Sequence, residues 1–154
     1  MKYETRVEKS DRALVVTRTF AAPARLVFEA WTNADLFRRW WIPKSIGITL
    51  LSCEMDVRVG GRYRLVFAAE PEPVAFFGTY LEVTPPSRLS WSNDEGPDGA
   101  ITTVTFEESN GETRVVVQDL YPTIEALEAA VASGSTQGFT EQFEQLDEML
   151  LART

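Results

Sequence analysis

The stretch STQGFTEQFEQLDEMLL, Ser135–Leu151, restricts the fold more than any other part of the chain. Phe139, Phe143, Leu146 and Leu150 follow one another at intervals of four, three and four. On an α-helix that spacing stacks all four side chains on one narrow stripe. Glu141, Glu144, Asp147 and Glu148 fall mostly on the opposite side, in water. A helix of this kind needs an apolar surface to lie on. Most of the preceding sequence has the two-residue period of β-strands, so a curved sheet wrapped around the terminal helix is the expected partner.

The 154 residues predict a single domain over 1–154, with its core at about 12–151. That length buries about two-thirds of the unfolded surface. No apolar run approaches the ~20 residues of a membrane span, and Met1 leads directly into polar sequence, so no signal peptide is expected. A net charge of −8 repels phosphate backbones, which argues against nucleic acid as a partner. Cys53 is the only cysteine, so no intrachain disulfide forms and a cytoplasmic setting is expected. Histidine is absent, which removes His-based triads, His metal ligands and imidazole acid–base chemistry. No catalytic residue, metal ligand or cofactor is assigned. The sequence leaves open whether the chain forms a homodimer.

Along the chain, residues 1–11 are polar and predict a loosely held start. Ala13–Phe20 (ALVVTRTF) reads as the first strand. Pro23 suits the start of a helix, and Asn33 the N-cap of a second short one over Ala34–Trp41. Strands are expected over Ile48–Val59, Arg62–Ala68, Val74–Thr84, Arg88–Ser92, Ile101–Glu107 and Thr113–Leu120. Gly60-Gly61 and Asn110-Gly111 read as hairpin turns. In Val74–Thr84 the more apolar set, Phe77, Leu81 and Val83, is expected to face inward and Phe76, Gly78, Tyr80 and Glu82 outward. Ile124, Leu127 and Val131 share a helical face, and Ser133-Gly134-Ser135 predicts a break before the last helix. The order is α+β: one strand, two short helices, further antiparallel strands, then a long helix.

Six pieces of the chain resemble a known family in the family's own order. They are RTFAAPARLVFEAWT (Arg18–Thr32), RRWW (Arg38–Trp41), DVRVGGRYRL (Asp56–Leu65), FGTYLEVTPPSRLSW (Phe77–Trp91), VTFEESNGETRVVV (Val104–Val117) and the terminal GFTEQFEQLDEML. Together they resemble the activator-of-Hsp90-ATPase-like branch of the START / Bet v 1-like (SRPBCC) superfamily. The resemblance implies a helix-grip fold, a curved antiparallel sheet of about six or seven strands around a long C-terminal helix. It also implies an apolar ligand cavity between the two. Two departures stand out. Gly138-Phe139 occupies a place where relatives often have Gly-Trp, and Asp119 corresponds to a frequent histidine.

Taken singly, the aromatic residues read as core; taken together they suggest the lining of an apolar pocket. The candidate ligand-binding set is Trp31, Trp40, Trp41, Tyr63, Leu65, Phe67, Phe77, Trp91, Val104, Phe106, Val117, Phe139 and Phe143, with Asp119, Ser135 and Gln142 as orienting polar groups. The expected ligand is a small apolar or aromatic molecule. Two alternatives are a polyketide cyclase/aromatase-like enzyme, to which Tyr80 and Glu82 would contribute if both faced inward, and a module contacting an Hsp90-type chaperone. The chaperone reading ranks last, because the known activator carries a further N-terminal domain.

Overall fold

Polar side chains of the last helix anchor the segment from Trp40 to Lys44, between the second and third strands, and the sheet curves around both. The computed structural model describes residues 3–96, 99–132 and 138–153. Their order is β1 (Arg6–Ser10), β2 (Ala13–Phe20), α1 (Ala24–Thr32), α2 (Ala34–Trp40), a 3-10 turn (Lys44–Ile46), β3 (Leu50–Met55), β4 (Arg62–Phe67), β5 (Val74–Thr84), β6 (Arg88–Ser92), β7 (Ile101–Ser109), β8 (Glu112–Leu120), α3 (Ile124–Ala132) and α4 (Phe139–Arg153). The strands form one curved antiparallel sheet in the order β1-β2-β8-β7-β6-β5-β4-β3. This is the helix-grip arrangement, with eight strands rather than six or seven.

The additional strand is β1, in the segment expected to be loose. It pairs with β2 from Arg6↔Thr17 to Ser10↔Ala13. All five of its residues are exposed, so there is no buried alternation for periodicity to detect. Asp11, at φ 55°, makes the tight reversal into β2. The strand expected at Ile48–Val59 shrinks to Leu50–Met55, with an irregularity between Leu50 and Ser52, while Ile48 and Val59 are exposed. The Gly60-Gly61 turn is part of a longer connection, closed by the Asp56 N–H donating to the Arg62 carbonyl at 3.0 Å and the Gly61 N–H to that of Arg58 at 2.8 Å. The Asn110-Gly111 turn forms as expected, with φ of 55° and 79°.

The expected facing of β5 is reversed over most of its length. Gly78 and Tyr80 are buried on the inward face, Leu81 is exposed, and Phe77 pairs with the outward Arg64. The cause is a bulge: Tyr80 pairs with Trp91 and Glu82 with Ser90, so Leu81 is the extra residue and the alternation changes phase there. Val83 therefore does pack inward, as expected. Gly78 is required by close approach, since a Cβ there would lie 1.8 Å from the Ser92 carbonyl oxygen.

Asn33 caps α2, its side-chain oxygen accepting from the N–H groups of Asp35 at 3.0 Å and Leu36 at 3.3 Å. On α3, Leu127 is buried and Val131 packs against the core, but Ile124 is exposed. The expected break at 133–135 lies outside the described residues. On α4 the predicted stripe is the buried one: Phe143, Leu146 and Leu150 are no more than 3% exposed, and Phe139 is half-buried against the same core. Phe143 meets Phe20 of β2 edge to face at 5.5 Å between ring centres. Beside the stripe, Asp147 takes both arms of the Arg18 guanidinium, at 2.5 and 3.1 Å. Arg18 is 6% exposed and also lies over the Phe20 ring, so this pair pins α4 to β2.

Truncating Phe143 to alanine is expected to cost about 3–5 kcal/mol of unfolding free energy in urea titrations, the range for a packed core ring. A loss below about 1 kcal/mol would mean that the ring borders open space rather than packed neighbours.

Candidate functional site

Strand pairing arranges the inward side chains of the sheet in rows. One row is entirely aliphatic: Val83, Leu89, Val104, Val117 and Val16, from β5 across to β2. The row beside it runs Tyr80, Trp91, Thr102, Asp119 and Leu14. It introduces a phenol, an indole, a hydroxyl and a carboxyl beside that aliphatic row.

The helices supply the opposite wall. Trp31 of α1 is 1% exposed and sits at the centre of an aromatic cluster. Its ring centre lies 4.7 Å from that of Trp40, 5.7 Å from Trp41, 6.1 Å from Trp91, 6.2 Å from Phe106 and 6.5 Å from Phe143. The Trp40 indole N–H donates to the Ala30 carbonyl at 2.9 Å. The Trp31 indole N–H has no partner, and among the described residues it is the one buried side-chain nitrogen or oxygen in that condition. A buried polar group left unpaired costs about 1–3 kcal/mol.

A hydrogen-bond relay supports the polar row. Asn93 donates through Nδ2 to the Ala100 carbonyl at 2.7 Å, which sets the orientation of its amide. Nδ2 also donates to Thr102 Oγ1 at 3.0 Å, while the amide oxygen accepts from the Tyr63 hydroxyl at 3.1 Å. With its oxygen already accepting, Thr102 directs its own proton to Asp119 Oδ1 at 2.6 Å. Burial pushes the Asp119 carboxyl above the usual aspartate range, and the Thr102 bond offsets this in part. Burial also raises the phenols: Tyr63 and Tyr80 move far upward, and Tyr121 to about 12. At neutral pH these phenols are held as neutral hydrogen-bonding groups and are poorly matched to proton transfer.

Most of the sequence-predicted residues meet on these walls. Trp31, Trp40, Trp91, Val104, Phe106, Val117 and Phe143 are buried in one core, with Trp41 and Phe139 half-buried against it. Tyr63, Leu65 and Phe67 are buried on the inward face of β4, and the Tyr63 ring centre is 6.4 Å from that of Trp91. Asp119 is inward, as its parity with Val115 and Val117 implied.

Phe77 does not join them. It faces out and borders a shallow cleft of about 380 Å³ with Glu54, Arg62 and Arg64. Gln142 lies beside the stripe, and its Nε2 donates to the Trp41 carbonyl at 2.5 Å. Its neighbours act alike, for Gln145 donates to the carbonyls of Trp40 and Ile42 and accepts from the Lys44 N–H, and Glu141 accepts from Ser45. Ser135 lies outside the described residues. Tyr80 faces inward but Glu82 pairs with Arg88 at 2.9 Å, so the two do not form a tyrosine–carboxylate pair. Sequence reasoning missed Thr102 and Asn93 as polar contributors. Thr102 was legible from its alternation with Val104 and Phe106, whereas nothing local marks Asn93.

Among the described residues, no group of His, Cys, Asp and Glu is arranged to hold a metal ion, and no helix is long and apolar enough to cross a membrane. Burial raises the Cys53 thiol, which disfavours the nucleophilic thiolate.

The family model described as "Activator of Hsp90 ATPase homolog 1-like protein" matches residues 21–151. No curated protein matches the chain. Among solved structures, a protein of Rhodobacter sphaeroides is similar at 27% identity and a TM-score of 0.86, covering 97% of this chain and 99% of its own. One from Nitrosomonas europaea is similar in fold at 23% identity and a TM-score of 0.84, with 95% and 98% covered. An AHSA1-like protein from Aeromonas hydrophila has 25% identity and a TM-score of 0.68, with 88% and 92% covered.

The raised Asp119 carboxyl predicts a pH signature. The folded chain holds this proton more tightly than the unfolded chain does. The resulting stabilisation is fully present below the ordinary aspartate range and is lost as pH rises through the raised folded value. The groups facing it, Tyr63 and Tyr121, stay neutral throughout. Across that window, urea titrations should show wild type losing unfolding free energy relative to Asp119→Asn. Parallel curves would mean that the carboxyl ionises as freely in the folded chain as in the unfolded one.

Proposed function

This chain belongs to the Activator of Hsp90 ATPase homolog 1-like family, and from that premise we propose that it binds a small apolar or aromatic molecule between α4 and the inward face of the sheet. The observation that carries the reading is unused hydrogen-bonding capacity around the grip, on a buried indole and a half-buried carboxyl. The Trp31 N–H has no partner, and Asp119 has a hydrogen bond on one carboxyl oxygen only. Natural interiors pair a buried group such as the Trp31 N–H almost completely. An apolar guest carrying a polar group would pair them and be held by burial against Trp31, Trp91 and Phe106, at ~25 cal/mol per Å² of apolar surface. An apolar enclosure with a few convergent polar groups is the usual form of a small-molecule site. The proposed setting is cytoplasmic, in keeping with a single unpaired cysteine.

Contact with an Hsp90-type chaperone is the second reading. It is favoured by Ile46, Ile48 and Leu51, which are exposed beside the free edge of β3.

The neutral fluorophore N-phenyl-1-naphthylamine tests the first reading. Its emission is expected to rise saturably at one molecule per chain, and native mass spectrometry of freshly purified protein is expected to show a retained small molecule. Bare mass together with no saturable emission would overturn ligand binding. Stimulation of a chaperone's ATPase that disappears on Leu51→Lys would move the assignment to the second reading.

A further inference from the structure

We propose that the molecule held in the grip presents a hydrogen-bond donor, with a protonated amine preferred, to the second carboxylate oxygen of Asp119. This rests on the ligand-binding reading above and specifies the chemistry of the ligand's polar end.

The direction of the relay leads to it. The Ala100 carbonyl must receive a proton, so Asn93 presents its NH₂ group there and to Thr102. Thr102 then has one role left toward Asp119, that of donor, and Asp119 Oδ1 accepts. The relay thus delivers a donor to one carboxylate oxygen and nothing to the other. Among the described residues Asp119 has no ion-pair partner and no second hydrogen bond. Among the described residues the one buried arginine, Arg18, is committed to Asp147.

The surroundings favour a cation over a neutral donor. Trp91 and Leu14 belong to the same cross-strand row as Asp119, and Tyr63 and Tyr121 lie close enough for its charge to act on their phenols. An aromatic ring and a carboxylate on one inward row suit an organic cation that spans them, which gains from both. An anionic ligand would meet Asp119 together with the Asp94 and Glu95 carboxylates, whose charges also act on Tyr63. A ligand offering only acceptors would make no hydrogen bond to the half-buried Asp119 carboxylate.

Three probes sharing one apolar body separate these cases: 2-naphthylmethylamine, 2-naphthalenemethanol and 2-(methoxymethyl)naphthalene. Calorimetric titration of the full chain is expected to rank them amine, alcohol, ether, with the amine at least about tenfold tighter than the ether, as a charge-assisted bond provides. In Asp119→Asn the amine should lose that advantage while the ether binds as before. Equal affinities in the wild type, or an ether that binds tightest, would overturn the donor assignment and leave the ligand-binding reading standing. Failure of all three, with no N-phenyl-1-naphthylamine binding, would remove both. The wild-type ranking is decisive even if the variant does not fold.

Discussion

The side-chain amide of Gln145 holds the two halves of the molecule in register. It donates to the carbonyls of Trp40 and Ile42 and accepts from the Lys44 N–H, all from within the buried face of α4. The segment leaving α2 has carbonyls that no helical turn satisfies, and burying them unpaired would be costly. Gln142 and Glu141 extend the same latch to Trp41 and Ser45. An apolar stripe alone would let the last helix rotate or slide with little penalty, because burial is not directional. The amide contacts have direction and length, so they select one position. That position in turn sets where Trp40, Trp41 and Phe143 stand relative to the sheet.

With the helix fixed, the inward face of the sheet becomes one wall of a defined interior. Its aliphatic row of Val83, Leu89, Val104, Val117 and Val16 packs without any demand for hydrogen bonds. The neighbouring row makes such demands and meets them only in part. The relay through Asn93 and Thr102 stabilises one side of Asp119, and the indole of Trp31 stays unpaired within its aromatic cluster. Buried polar groups are almost always paired in folded chains, so the Trp31 indole stands out in this interior. The Tyr63 phenol, raised by burial, contributes hydrogen bonds to Ser92 and Asn93 rather than proton transfer.

Several elements were readable from sequence because a local rule coincided with the tertiary outcome. The stripe of Phe143, Leu146 and Leu150 is buried as its spacing implied. Asn33 caps α2, Asn110-Gly111 makes its turn, and Thr102, Val104 and Phe106 alternate inward on β7. The errors arose where a non-local contact overrode the local pattern. Phe77 faces outward because the bulge at Leu81 lies between it and Val83, and alternation cannot be carried across a bulge. Strand β1 has no buried face at all; it exists through backbone pairing with β2. Gln142 stands beside the stripe as helical geometry sets it, but its bond to the Trp41 carbonyl joins residues far apart in sequence and has no local signal.

The order of residues alone determined the succession of strands and helices and the buried stripe of α4, because period, caps and turn residues act over a few positions, while the helix-grip arrangement followed from the family resemblance. The absence of histidine likewise restricted the available chemistry from composition alone. Only the folded chain decided that Asn93 orients Thr102 toward Asp119, that Gln145 is a latch, and that Arg18 belongs to Asp147. Those pairings join side chains far apart along the backbone. Their distances and donor directions arise from the curvature and register of the sheet, which no local stretch of sequence encodes.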